Sequence, residues 1–139
     1  MFIKLFALTF VVFLILDFIW LRILMRKFYF QEFSPIARRN SRALTPYFPT
    51  ALIGYIVVMA GFVHFVILPQ LGQPIGWNTF LEGAFFALCV NIFFECLGHA
   101  LIDKWPWRML IVDNFWGFLV GGLTTIITLF LASKLGWTV

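Results

Sequence analysis

Charge is what this chain has least of, and acidic charge above all. Only 12% of its 139 residues are Asp, Glu, Lys or Arg, about half the ~25% of a soluble domain. With 63% hydrophobic residues, there is too little polar surface for a water-soluble globule, so the bilayer is the expected solvent. The sequence also lacks a phosphate-binding glycine loop, a nucleophile elbow and a Ser/His/Asp arrangement. It has no HExxH or ExxH pair and no cysteine cluster, so no metal site is predicted. Its two cysteines, Cys89 and Cys96, stand seven residues apart on one expected helix. The helical rise between them is too long for a bridge. They read as free thiols among apolar neighbours.

What is present is long apolar runs. A membrane span needs about 20 mostly apolar residues, and four stretches qualify, over residues 2–25, 50–68, 79–102 and 109–132. The first has an apolar core from Leu5 to Leu24, longer than a signal-peptide core of about 7–15 residues, and no small-residue cleavage site follows. It reads as a retained helix. Pro69 closes the second run. Between the first two lies the longest loop, Arg26 to Pro49, mixing basic residues with Phe28, Tyr29, Phe30 and Phe33. Its first half reads as a short amphipathic helix lying in the membrane interface. The expected fold is all-α: a polytopic integral membrane protein, one domain over residues 1–139, with four transmembrane helices in an antiparallel bundle.

Six of the ten Lys and Arg lie between Arg22 and Arg42. This distribution is a topology signal rather than a nucleic-acid footprint. The first and third loops, with Arg22 at the adjoining end of the first span, hold eight basic residues, against Lys4 and Lys134 on the other side. The positive-inside rule therefore puts both termini on the non-cytoplasmic side. Trp77, Trp105, Trp107 and Trp137 fall at the span ends, as an aromatic belt requires. Gly54 and Gly61 on the second helix, and Gly117 and Gly121 on the fourth, read as small-residue packing positions.

Three of the six acidic residues, Asp17, Glu95 and Asp113, sit inside the spans. There an ionised group costs roughly 2.5–3.5 kcal/mol at a helix centre. Orientation brings all three to a similar level in the cytoplasmic half. Asn91, Glu95 and His99 fall at i, i+4 and i+8 on the third helix, and Asn114 adjoins Asp113. Trp20 and Trp116 each stand three residues from an acid and wall the same region. Two readings remain open: a structural hydrogen-bond network joining helices one, three and four, or a polar pocket that handles protons or a ligand. No cofactor is predicted. A metal held by Asp17, Glu95, His99 and Asp113, or a bound lipid, quinone or pigment, is a lesser reading. A bis-histidine haem is disfavoured because His64 and His99 differ in depth by roughly 15 Å.

The same residues carry a resemblance. Asp17-Phe18-Ile19-Trp20-Leu21, Trp105-Pro106 and Asp113-Asn114-Phe115-Trp116-Gly117 resemble motifs of the bacterial four-helix membrane family catalogued as domain of unknown function 2177. On the third helix, Phe94-Glu95 stands where that family has Tyr-Asp, and Leu97-Gly98 where it has Thr-Asn. The acid is kept on a longer arm and two hydrogen-bonding side chains are gone. The resemblance implies four helices and a carboxylate cluster, and brings no activity with it.

Three function classes follow for a protein of the bacterial inner membrane. The favoured one is an accessory or interaction subunit of a larger membrane assembly, with another membrane protein, a second copy of itself and lipids as partners. The alternatives are a small homo-oligomeric proton-coupled transporter and an integral-membrane lipid-modifying enzyme using Glu95, His99 and Asp113 as acid–base groups. No nucleic acid is expected as a partner.

Overall fold

The computed structural model describes residues 1–138; Val139 lies outside the described residues. Among the described residues four helices are long and apolar enough to cross a membrane. We label them α1 (Phe2–Leu24), α3 (Phe48–Gln70), α4 (Trp77–Leu101) and α5 (Trp107–Lys134). The short helix α2 (Arg26–Phe33) follows α1 directly, where the basic, aromatic sequence predicts an interfacial helix. The loop after it holds a small antiparallel bridge, Arg39 to Leu44. Asn40 closes that turn by accepting from the backbone N–H groups of Arg42 and Ala43.

The second and fourth spans run two residues past their expected bounds at both ends, the third starts two residues early and ends one short, and the first ends one short at Leu24. Helix α3 starts at Phe48 rather than Thr50 because Pro49 falls in its first turn, where a missing N–H costs nothing. It also continues through Pro69 instead of stopping there. The turn before that proline, Val63–Ile67, widens into a π-helix, which relieves the clash a proline ring makes with the turn below it. A second π-helical turn, Ile19–Leu24, ends α1 immediately after Asp17 and Phe18. Helix α5 ends in a left-handed Gly136 (φ 72°). The Trp137 N–H then donates back to the Ala132 carbonyl at 2.9 Å, folding Trp137 onto the core.

The helices run antiparallel in chain order. At the end of the bundle that carries the termini, the start of α1 (Leu5) meets the end of α3 (Phe62, Val63, Ile67) and the end of α5 (Leu129, Ala132) in the main apolar core. Helices α4 and α5 form the tightest pair. A Cβ at Gly121 would lie 2.4 Å from the Gly83 carbonyl oxygen, and one at Gly122 would fall within the Phe80 ring. Small residues thus let these backbones touch. By contrast α3 makes few contacts with α4. The bundle is closed at the terminal end and splayed around α3 at the α2 end.

Candidate functional site

The splayed end is where the polar groups meet. Asp17 of α1 accepts from the Trp116 indole N–H at 3.0 Å and from the Tyr55 hydroxyl at 3.4 Å. Asp113 of α5 accepts from the Tyr29 hydroxyl at 2.8 Å, and that hydroxyl accepts from the Trp20 indole N–H at 2.8 Å. The two chains of bonds cross. Trp20, on the helix of Asp17, serves Asp113 through Tyr29; Trp116, on the helix of Asp113, serves Asp17. Between them the two indoles stack with centroids 4.5 Å apart and parallel planes. Each aspartate is therefore fixed by the opposite helix, which ties α1 to α5 at this level.

Glu95 lies behind this pair and is 1% exposed. One of its oxygens accepts from the Trp105 indole N–H at 2.8 Å. The other, Oε1, has no donor among the described residues. Asn91 donates to the Asp113 backbone carbonyl at 3.2 Å. Its amide fits because Gly117 opposite has no side chain: a Cβ there would lie 2.0 Å from the Asn91 nitrogen. Gly98 does the same for Trp105, whose ring would sit 2.8 Å from a Cβ at that position. Here Gly98, at a position where the resemblance expects a polar side chain, makes room for an indole that reaches the acid from the next loop.

Helix α2 closes the cluster from the loop side. Tyr29 is 6% exposed, and Phe33 packs edge-on against Trp105. Glu32 pairs with Arg108 at 3.7 Å, a half-exposed pair of small value. Burial first, and the nearby Asp113 carboxylate second, push the Tyr29 hydroxyl above its usual pKa of 10.0. Among the described residues the Glu32–Arg108 pair is the one ion pair. No basic side chain balances Asp17, Glu95 or Asp113.

The structure thus brings together Asp17, Asn91, Glu95 and Asp113, with Trp20 and Trp116 as walls. Two expected members sit apart. His99 packs against the Trp107 ring at 4.4 Å, because an i, i+4, i+8 series drifts by about 40° at each step. Asn114 donates to the Leu110 carbonyl of its own helix at 2.6 Å, since adjacent helical residues point different ways. Among the described residues no three His, Cys, Asp or Glu side chains are placed so that they could hold a metal ion, and His64 is edge-on to Phe65. Both cysteines are exposed on the outside of the bundle rather than packed within it. Gly117 and Gly121 make close helix contacts, Gly61 makes an ordinary one with Phe86, and a Cβ at Gly54 would meet nothing within 4 Å.

Three contributors escape a sequence reading. Tyr29, Tyr55 and Trp105 each supply a donor to a carboxyl. The signal for Tyr55 was a hydroxyl inside an apolar run. The signal for Trp105 was a tryptophan in a turn too short to carry it away from the preceding helix.

Two cavities border the site. One, of about 440 Å³, lies between α3 and the other three spans; Asp17, Asn91, Asp113 and Trp116 line it alongside apolar side chains. The second, of about 920 Å³, lies between α1, α2 and α3. Asp17, Tyr55 and Phe94 line both.

These features sit in a chain whose residues 2–130 match the family model described as Predicted membrane protein (DUF2177). The chain belongs to this family. Neither a curated protein nor a solved structure matches it. The match spans all the carboxyls and aromatic donors described above, so the crossed network lies wholly within the family region.

Proposed function

We propose that the protein holds a membrane-dissolved amphiphile in the cavity beside α3, with the ligand's hydrogen-bond-donating end, a hydroxyl or an amine, on Asp17 and Asp113. The observation that carries this reading is the cavity itself. It is about 440 Å³, within the range of roughly 300–1,000 Å³ typical of small-molecule sites. Its wall is mostly apolar, and its charged groups are the two carboxyls, Asp17 and Asp113, with Asn91 beside them and Thr50, Tyr55 and Thr124 as further polar side chains. Acceptors without a cationic partner suit a ligand that brings donors or positive charge. Helix α2 and the stacked indoles cover the cluster from the loop side, so the ligand enters sideways from lipid, past the sparsely packed α3.

A subunit role fits this reading if the partner draws on the ligand. It gains nothing from Gly117 and Gly121, which are used inside the α4–α5 contact. A transport path through one copy would have to cross the apolar core at the terminal end. An acid–base reaction would fall to Asp17, Asp113 and Glu95, because His99 lies against Trp107. We place the chain in a bacterial inner membrane with both termini away from the cytoplasm, on the strength of its basic first and third loops.

The test is native mass spectrometry of gently extracted protein. Wild type should carry one small-molecule adduct. Gly54→Leu, which adds its side chain at a cavity-lining position where a Cβ meets nothing within 4 Å, and the Asp17→Asn/Asp113→Asn double variant should both lose it while keeping helical circular dichroism. An adduct that survives both changes, or its absence from wild type together with no uptake of added long-chain alcohols or amines, would overturn the reading.

A further inference from the structure

The larger cavity has a different chemistry. Its wall away from the loops is apolar, formed by Phe10, Leu14 and Phe18 of α1 and Leu52 of α3, and its rim carries Arg22, Arg26 and Arg38. Asp17 is the one acid lining it; it accepts from Trp116 and Tyr55, and among the described residues it pairs with none of the rim arginines. Arg22 and Arg26 are exposed, and among the described residues neither has an acidic partner. Arg38 lies over the Tyr47 ring at 5.4 Å, which keeps its guanidinium at the mouth of the groove.

We infer that this groove seats one anionic phospholipid of the surrounding leaflet, its phosphate on the arginine rim and an acyl chain along α1 and α3. Three features fix the class of ligand. Guanidinium groups match phosphate oxygens in pairs. The long apolar floor has no use for a free phosphate and suits a hydrocarbon chain. The order along the chain then follows: Arg22 lies in the last turn of α1 and Arg26 opens α2 just beyond it, and Leu14 and Phe10 lie two to three turns back along α1 from Arg22, which is headgroup first and chain after. The rim also distinguishes this groove from basic residues that merely lie along the membrane surface. Lys27 and Arg42 belong to the same stretch but do not line it.

The experiment uses the full chain, purified in detergent and stripped of lipid, with phosphatidylglycerol, phosphatidylcholine and inorganic phosphate as probes. Wild type is expected to bind one phosphatidylglycerol, tighter than phosphatidylcholine by about tenfold or more, and inorganic phosphate should not displace it. Arg22→Gln/Arg26→Gln should weaken binding by about twentyfold, taking roughly fivefold per basic residue. Lys27→Gln/Arg42→Gln removes the same charge and should change binding less than about twofold on that argument. If the arginine double variant fails to fold, Leu52→Trp fills the groove with the rim intact and should expel the lipid. Equal binding of both lipids, equal loss in the two charge variants, displacement by inorganic phosphate, or a lipid that stays bound in Leu52→Trp would each overturn the inference. Asp113→Asn, which faces only the smaller cavity, should leave phosphatidylglycerol bound, so this seat and the amphiphile site fail separately.

Discussion

Among the described residues Trp105 supplies the one donor to Glu95, and this makes it the most vulnerable point of the network. Trp105→Phe keeps the ring against Phe33 and Phe94 but strips the acid of its N–H. A buried acceptor left unpaired costs about 1–3 kcal/mol, so thermal unfolding in detergent should show a loss of that order. In a Glu95→Leu background the same change should cost much less, and equal costs in the two backgrounds would mean the indole acts by packing alone. Gly98→Ala should reproduce part of the loss, because its methyl group would meet the Trp105 ring. Tyr29 gives the pH dependence at this scale. Its folded pKa lies above the unfolded 10.0, so the folded state keeps its proton where the unfolded chain releases it. The stability it contributes is complete below about pH 10 and declines as pH rises beyond that value. Unfolding followed from pH 8 to pH 11 should show an alkaline decline that Tyr29→Phe makes shallower; an identical decline in both proteins would remove Tyr29 as its source. Which aromatic residues turn inward was not legible in the sequence. A hydropathy run fixes how deep a residue lies, but not which way the helix is rotated. Asp17, Glu95 and Asp113 could therefore be placed at one level while Tyr29, Tyr55 and Trp105, their donors, could not.

At the scale of elements, the two sets of glycines behave as different materials. Gly83, Gly121 and Gly122 hold α4 and α5 at backbone contact, whereas Gly54 faces the open cavity. Gly121→Ala should destabilise by about 1–3 kcal/mol through overpacking. Gly54→Ala should be neutral or gain up to about 1 kcal/mol from helix propensity. Thermal melts of the two variants side by side decide this, and equal shifts would contradict the packing described. The sequence motif Gly117-x-x-x-Gly121 was legible, but its partner was not: small residues announce that something approaches, without saying whether it is the neighbouring helix or another molecule. Span bounds show the same limit. Apolar length predicted four helices and their order, but Pro69 was read as a stop because the π-helical turn that carries α3 through it is a packing response with no signature in composition.

For the whole molecule, the contrast between its two ends governs behaviour. The terminal end is a packed apolar core. The α2 end is a polar network flanked by two cavities that meet at Asp17 and Tyr55. Hydrogen exchange in detergent should therefore find slow amides where α1, α3 and α5 converge around Leu5, Ile67 and Leu129, and faster ones in the first turns of α3. Uniform protection along α3 would mean that the helix is not free to admit a ligand. The architecture was readable because burying apolar surface in lipid is a one-dimensional requirement on the chain. The cavities were not, because an empty volume is defined by residues far apart in sequence, such as Phe13, Gly54 and Thr124.

The parallel indoles of Trp20 and Trp116, 4.5 Å apart, have a consequence in optics. Two identical chromophores held so closely and face to face do not absorb or emit independently. Their transitions couple, so the pair should give a split band in near-ultraviolet circular dichroism and dim the fluorescence of both rings. Any event that parts α1 from α5 at the level of the aspartates would uncouple them. The protein thus carries its own label-free gauge of that gap, and replacing either tryptophan with phenylalanine would switch it off.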